Sequence, residues 1–363
     1  MKSDVLKDDE ILDLLRLVAP GTPLREGLDN ILRAKTGALI VIGDSQEVTN
    51  LMDGGFFINK EYSPAHLYEL AKMDGAIILS KDQKKILYAN TLLMPDPSIP
   101  TGETGTRHKS AERVAKQTGE MVVCISQRRN IITLYKGSRK YILKDTSTIL
   151  TRANQALQTL EKYRSVLDEA LNNLGMLEFE DNVNLDGVAY SLQRVEMVMR
   201  IVAEIERYIC ELGNEGRLVS MQLEELLGNV EEEGLFIIED YMLPAENRTA
   251  EDVLRSIRSL TYDELMDISS ICRALGYSGG IDSSDIHISP RGYRIMSKVP
   301  RLPMSVVRHL VNKFDNFQSI LKASIEELDE VEGIGEVRAR TIKEGIRRVQ
   351  DQLLMDSRYN VRI

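Results

Sequence analysis

The 363-residue chain has only three cysteines, Cys124, Cys210 and Cys272, and no CxxC pair. Cysteines this sparse argue against a disulfide framework and a structural zinc, and fit the reducing cytosol. Four histidines (His66, His108, His287 and His309) do not make a multi-histidine metal centre, which leaves room for one catalytic or phosphate-binding histidine. No apolar run reaches the roughly 18 residues of a membrane span. The first stretch, MKSDVLKDDEILDLL, is charged and lacks an apolar core, so no signal peptide is expected. An excess of basic residues is missing too. The balance of 46 basic and 56 acidic residues is −10, which taken whole argues against a protein that displaces counterions from nucleic-acid phosphates.

That average hides a partition. Residues 1–150 hold 21 basic and 19 acidic residues, 151–300 hold 14 and 27, and 301–363 hold 11 and 10. The acidity belongs to the middle of the chain, and neither end is acidic.

The length predicts two or three domains. Residues 1–146 read as mixed α/β. Apolar positions at helical spacing cover 9–18 and stop at Pro20-Gly21, and a second helix starts near Pro23 and runs toward Lys35. Ala38–Ile42, Ala76–Leu79, Met121–Ile125 and Ile131–Tyr135 are short β-type runs bounded by turn residues. Ser63-Pro64 opens a helix ending near Met73, and a helix over 107–118 closes at Gly119. Met94–Thr106, with three prolines and two glycines, must be a loop, and loops this long are often functional. Residues 147–298 contain long amphipathic helices (Ala153, Leu157, Leu160, Leu167, Leu171 and Leu174, then Val188 through Leu212), the pattern of a helical bundle. They show no catalytic constellation and read as a spacer. Less regular text, including the glycine-rich Gly276–Gly280, leads to a third, helical part over 299–363. The fold class is therefore α+β and multidomain.

In the third part, Leu328–Ile342 has the form of a helix-hairpin-helix. Gly333 and Gly335 would allow positive φ and close backbone approach. Val331, Ile334, Val337 and Ile342 would lock the two helices together. The backbone N–H groups opening the second helix, with Arg338, Arg340, Lys343, Arg347 and Arg348 around them, would hold a DNA backbone without reading its sequence. Arg301–Phe317 looks like a degenerate second copy.

Three pieces of the first part carry chemistry. In Met73-Asp74-Gly75-Ala76 a helix gives way to a strand, where an acidic residue can hold a metal or accept a proton; alone, Asp-Gly is commonly just a turn. In Thr104-Gly105-Thr106-Arg107-His108-Lys109-Ser110, cations sit at a helix N-terminus against the helix dipole, which favours a bound polyphosphate. Ser126-Gln127-Arg128-Arg129-Asn130 is a polar turn that reads equally well as an ordinary hairpin or a phosphate clamp.

The DGA at Asp74–Ala76 and GTRHKSAERVA at Gly105–Ala115, with APGTPLREGLDNILRAKTGALIVIG, SPAHLYELAKMDGAIILS and ANTLLMPDPSIPTGETG, resemble the bacterial DNA-binding diadenylate cyclases. The resemblance runs through the helical middle into the hairpin. It departs at one position, where Lys109 replaces the second arginine of the usual Arg-His-Arg and loses the bidentate fork.

The resemblance implies that two ATP condense to cyclic di-AMP and two pyrophosphates between facing cyclase domains of a homo-octamer, with Mg²⁺ or Mn²⁺ on Asp74. Asp74, Arg107 and His108 would be catalytic. Gly75 and Leu93 would touch ATP through backbone; Thr106, Arg107, His108, Lys109 and Ser110 would bind phosphates; Ser126, Arg128 and Arg129 are candidates for the β- and γ-phosphates. Gly333, Ile334, Gly335, Arg338, Arg340 and Lys343 would meet branched or damaged DNA such as Holliday junctions, and DNA binding would inhibit the cyclase. The expected place is cytoplasmic and nucleoid-associated, with no membrane partner. The alternative is a non-enzymatic DNA-repair scaffold whose N-terminal domain only binds a nucleotide or another protein.

Overall fold

The computed structural model describes residues 12–245, 248–277 and 286–360, with side chains to 356. The start of the first expected helix and most of the Gly276–Gly280 stretch lie outside the described residues. The chain forms two compact units: the described part of Lys2–Asn154 with Arg207–Ser220, and the described part of Gln155–Glu206 with Met221–Ile363.

The first unit is built on one sheet. Helix α1, described over 12–17, precedes α2 (Pro23–Arg33), β1 (Ala38–Ile42), α3 (Gln46–Asn50), β2 (Met52–Asp53), β3 (Phe56–Glu61) and α4 (Pro64–Leu70). Then follow β4 (Ala76–Leu79), β5 (Lys85–Leu93), α5 (Thr106–Thr118), β6 (Met121–Ser126), β7 (Ile131–Lys136) and β8 (Arg139–Ile142). The helix starts have local causes. The Thr22 hydroxyl accepts from the Arg25 N–H at 3.2 Å ahead of Pro23, and the Ser63 hydroxyl from the His66 N–H at 3.1 Å ahead of Pro64. The strand order is β2-β5-β4-β1-β6-β7-β8, with β3 also paired to β5. β1 and β4 run parallel; every other pairing is antiparallel. Alternation in β1 divides two cores. Ala38, Ile40 and Ile42 pack with Leu28 of α2 and Leu67 of α4, while Leu39 and Val41 pack with Val48 of α3 and Val114 of α5.

The second unit is helical. Its helices are α6 (Thr146–Glu180), α7 (Leu185–Leu212), α8 (Arg217–Leu227), α9 (Val230–Tyr241), α10 (Ala250–Arg258), α11 (Tyr262–Met266) and α12 (Ile268–Leu275). They continue as α13 (Tyr293–Ser297), α14 (Met304–Phe314), α15 (Phe317–Lys322), α16 (Ile325–Asp329) and α17 (Glu336–Asn360). Most of α6 and α7 lies here, and their other ends belong to the first unit, as does the start of α8. Leu157, Leu160, Leu167, Leu171 and Leu174 are buried along α6, and Val188, Val195, Val198, Val202 and Ile205 along α7, as the spacing predicts. The hairpin region shares one apolar cluster with α6, in which Phe179 meets Phe317 edge-on at 5.2 Å. Among the described residues no helix is long and apolar enough to cross a membrane.

Candidate active site and nucleic-acid interface

Topology gathers the N-terminal motifs. Because β1 and β4 are parallel and β5 and β6 run against them, β1 and β4 start where β5 and β6 finish. Asp74-Gly75 enters β4 and Gly37 enters β1 at this end. The register Ala38↔Ile125, continued by one residue, sets Gly37 beside Ser126. Leu93 closes β5 there; its side chain is buried in the core of the α5 face, so only backbone can meet a ligand. Gly75 is required: its φ is +86°, and a β-carbon would stand 2.9–3.0 Å from the Asn90 and Thr91 backbone of β5. The turn therefore lies flat on the strand, with the Asp74 side chain exposed.

The N-terminus of α5 opens at the same end. Its N-cap, Gly105, has no side chain to offer, and no acidic residue lies in the first turn. The Lys109 N–H closes the first turn on the Gly105 carbonyl at 2.8 Å, while the preceding N–H groups are left to a ligand. The guanidinium of Arg107 lies over Gly37, close enough that no β-carbon would fit there. The Ser126 hydroxyl accepts from the Arg129 N–H at 3.2 Å, and the Asn130 N–H reaches the Ser126 carbonyl at 2.9 Å, forming the turn that presents Arg128 and Arg129. The side chains of Arg107, Lys109, Arg128 and Arg129 make no hydrogen bond or ion pair to any described residue. Elsewhere cations are commonly paired, as Lys116 is with Glu112 at 2.7 Å. Unpaired cations at an uncapped helix start, beside an exposed carboxylate, form a site for a polyanion with an acid–base or metal-binding group at its edge.

His108 is half-buried. Its Nε2 is buried without a partner, and its ring stands edge-on to Tyr135, 6.5 Å between centroids. Burial holds its pKa below the ordinary value; nearby Glu103 opposes this, and Arg129, Lys140 and Arg107 reinforce it. It is therefore neutral near pH 7. The sequence reading missed the group behind it. Glu103 is buried, accepts from the Tyr135 hydroxyl at 2.7 Å and pairs with Lys140. These residues come from a loop and two strands, so no local spacing announces them. The Met94–Thr106 loop is strapped along α5: Arg113 Nε donates to the Ile99 carbonyl at 3.0 Å, Lys116 Nζ to the Pro100 carbonyl at 2.8 Å, and the Thr101 hydroxyl to Glu112 at 2.5 Å.

A metal fits this site only in company. Among the described residues no three His, Cys, Asp or Glu side chains gather as a metal cluster. Asp74 alone would share a divalent cation with substrate phosphates, a common arrangement for Mg²⁺.

In the second unit, α16, the 330–335 hairpin and α17 have the expected form. Val331, Ile334 and Ile342 are buried, the Ile334 N–H donates to the Val331 carbonyl at 3.0 Å, and Gly333 has φ +83°. Three expectations change. Gly335 has no left-handed φ and an open flank, so only Gly333 supplies positive φ. Val337 is 81% exposed at the mouth of α17 and locks nothing. Lys343 turns inward, donating to the Leu321 carbonyl at 2.8 Å, and burial lowers its pKa. Arg338 reaches the Gly333 carbonyl and Arg340 pairs with Glu336 at 2.6 Å; both stay exposed. Arg347 and Arg348 are also exposed.

The degenerate copy starts further upstream than Arg301. Helices α13 and α14 repeat α16 and the start of α17 at a constant offset. Arg301 (φ +61°) stands for Gly333, and the Leu302 N–H to Val299 carbonyl bond (3.3 Å) for that of Ile334 to Val331. Proline at 303, in the place of Gly335, hid the repeat.

Comparison with known proteins follows the same division. Residues 25–140 match the family model described as DisA bacterial checkpoint controller nucleotide-binding. Residues 143–284 match that of the DisA bacterial checkpoint controller linker region, and 316–345 that of the helix-hairpin-helix motif. The DNA integrity scanning protein DisA of Acetivibrio thermocellus is 67% identical over 355 residues, 98% of each chain. Its counterpart in Carboxydothermus hydrogenoformans is 62% identical over 347 residues, 96% of this chain and 99% of that one. One from Clostridium botulinum is 58% identical over 350 residues, 96% and 98%.

Proposed function

This chain belongs to the DisA family of DNA integrity scanning proteins, and from that premise we propose that its two ends form one device in which DNA held at the C-terminus restrains chemistry at the N-terminus. The chain is a diadenylate cyclase with a DNA-binding helix-hairpin-helix motif. The finer reading follows from the chemistry of the site.

Two ATP become cyclic di-AMP and two pyrophosphates. The 3′-oxygen of each ATP bonds to the α-phosphorus of the other, the bond to the bridging oxygen breaks, and pyrophosphate carries away the electron pair. Asp74 takes the 3′-hydroxyl proton or orients that hydroxyl. The open N–H groups of α5, with Thr106, Arg107, His108, Lys109 and Ser110, hold the phosphates and neutralise charge that grows in the transition state. His108 offers its ring N–H to a phosphate oxygen. Ser126, Arg128 and Arg129 hold the departing β- and γ-phosphates. Gly75 lets the nucleotide approach the backbone beside Leu93. The family generally uses a divalent metal; here Mg²⁺ or Mn²⁺ on Asp74 would neutralise phosphate charge.

Each domain offers one Asp74 and one phosphate cradle, so two reciprocal attacks need two domains face to face. That requirement supports a facing pair of protomers; the family resemblance extends it to a homo-octamer assembled through the helical middle, and to a division into 1–146, 147–298 and 299–363. At the other end, paired hairpins suit branched DNA such as a Holliday junction, whose binding would inhibit the cyclase by changing how the domains meet. Such a protein would sit in the cytoplasm on the nucleoid.

The observation that carries the cyclase reading is the set of unpaired cations at the uncapped α5 start, next to Asp74. The test is incubation of the assembled protein with ATP and Mg²⁺ or Mn²⁺, followed by chromatography. Cyclic di-AMP that disappears in Asp74→Asn supports the reading; undiminished product from that variant removes Asp74 from it. No product from the parent protein at any metal concentration would favour the nucleotide-binding scaffold.

A further inference from the structure

We propose that Gly37 is a positioning residue of the cyclase site, and that its bare backbone is the seat that aims the Arg107 guanidinium at the nucleotide phosphates. The inference rests on the assignment of Arg107 to those phosphates.

A β-carbon on Gly37 would overlap Arg107 Nη1, stand 3.1 Å from its Cζ and 3.3 Å from the Ile125 carbonyl oxygen. The backbone of Gly37 is not free to retreat. On one side, α2 ends in a closed turn: the Lys35 N–H donates to the Leu32 carbonyl at 3.0 Å, and the Thr36 N–H and hydroxyl both reach the Ile31 carbonyl, at 3.3 and 3.2 Å. On the other, Ala38 is paired with Ile125 in the sheet and is buried. Nor does Gly37 need to be glycine for its own conformation, since its φ is not in the left-handed region. Space for the guanidinium is the requirement the structure shows.

Arg107 has no other anchor. It makes no hydrogen bond or ion pair to any described residue, so its direction depends on this packing. Its charge also reaches Cys124 on β6, whose thiol burial pushes up to about 12 while Arg107 pulls weakly the other way. The guanidinium lies over the start of the β1–β6 strand pair, beside Gly37. A β-carbon on Gly37 displaces the free end of Arg107, while the Ile125 carbonyl at 3.3 Å has to give by only a few tenths of an ångström. The displaced side chain breaks no internal bond, so the fold tolerates the change while the aim is lost.

The test is a double-mutant cycle in the assembled full-length protein: Gly37→Ala, Arg107→Ala and the pair. Cyclic di-AMP formation and melting temperature are measured for each. A misplacement of about 1 Å in a positioned group can cost roughly 100-fold in rate, so Gly37→Ala should lower kcat by about 10- to 100-fold. Its melting temperature should fall by less than about 5 °C, and its oligomeric state should match the parent. Arg107→Ala should add little in the Gly37→Ala background, because the two changes disable one group. The loss from Gly37→Ala should also shrink in an Arg107→Lys background, where the head is slimmer. Full activity in Gly37→Ala, losses that simply multiply, or a melting temperature lowered by more than about 5 °C would each overturn the proposal. Full activity in Arg107→Ala would refute the phosphate assignment beneath it, and so separates the two failures.

Discussion

Arg294→Met should unseat the hairpin module at its root. Arg294 lies at the start of α13 with its side chain 0% exposed, and Glu178 of α6 is equally buried. Arg294 Nε donates to Glu178 Oε1 at 3.1 Å and Nη2 to Glu178 Oε2, while Nη1 stands 3.6 Å from Glu233. Glu178 also accepts from the Tyr241 hydroxyl at 2.8 Å, and Lys298 pairs with Glu233 at 3.0 Å. Methionine keeps most of the volume and removes the charge. Glu178 is then a buried carboxylate with one neutral donor. Deleting one partner of a buried pair costs about 3–5 kcal/mol. With a slope of about 2 kcal/mol per molar urea, that lowers the midpoint for the helical unit by about 2 M. Glu178→Gln with Arg294→Met keeps an acceptor for Tyr241 but leaves no unpaired charge, and should recover most of the loss. Urea titration followed by circular dichroism reads both, with junction binding in parallel. A single variant that loses less than about 1 kcal/mol, or a double variant weaker than the single, would refute the reasoning.

Gly75→Ala forces a β-carbon at φ +86° against the β5 backbone; it should cost about 1–3 kcal/mol and abolish cyclic di-AMP formation, and a fully stable variant would contradict the strain. Gly335→Ala meets only Asp329 Oδ1, at 3.9 Å in ordinary contact, so stability should change by only about 0.5 kcal/mol at the N-cap while DNA affinity in a gel-shift assay falls, because an added methyl blocks close approach of a phosphate backbone. Asp240 accepts the N–H groups of Gly292 and Tyr293 at 2.7 Å each and of Arg294 at 3.0 Å, yet burial, with Glu178 nearby, pushes its pKa up to about 7. Between about pH 4 and pH 7 the folded chain then holds a proton the unfolded chain has shed, so this group's contribution to stability falls as pH rises through that window. Asp240→Asn should flatten that part of the urea-midpoint profile, and an unchanged slope would remove Asp240 from it.

The elements legible in the sequence are those with local causes. β1, β4, β6 and β7 are buried apolar runs closed by turn residues, and α2 and α4 carry their caps in Thr22-Pro23 and Ser63-Pro64. The strands that escaped lack such signals. β3 (FFINKE) is largely exposed and shows no alternation. β5 is broken by Asn90 at φ +53° and shifts register against β4, so it does not read as one strand. β8 is four residues, two of them basic. The same division holds at the site. Asp74-Gly75 and Thr106–Ser110 are contiguous and readable. Gly37, Glu103, Tyr135 and Lys140 matter only because the sheet brings distant segments together. Along α17, periodicity does not tell a cation that turns inward, as Lys343 does, from one that stays in water.

The link between the two ends of the chain is tested most directly by the cyclase assay with and without a four-way junction. A saturating junction should lower cyclic di-AMP output of the parent protein, and Gly335→Ala, which keeps its fold and its basal activity, should need more junction for the same effect. Output unchanged by a junction that is demonstrably bound would contradict that link.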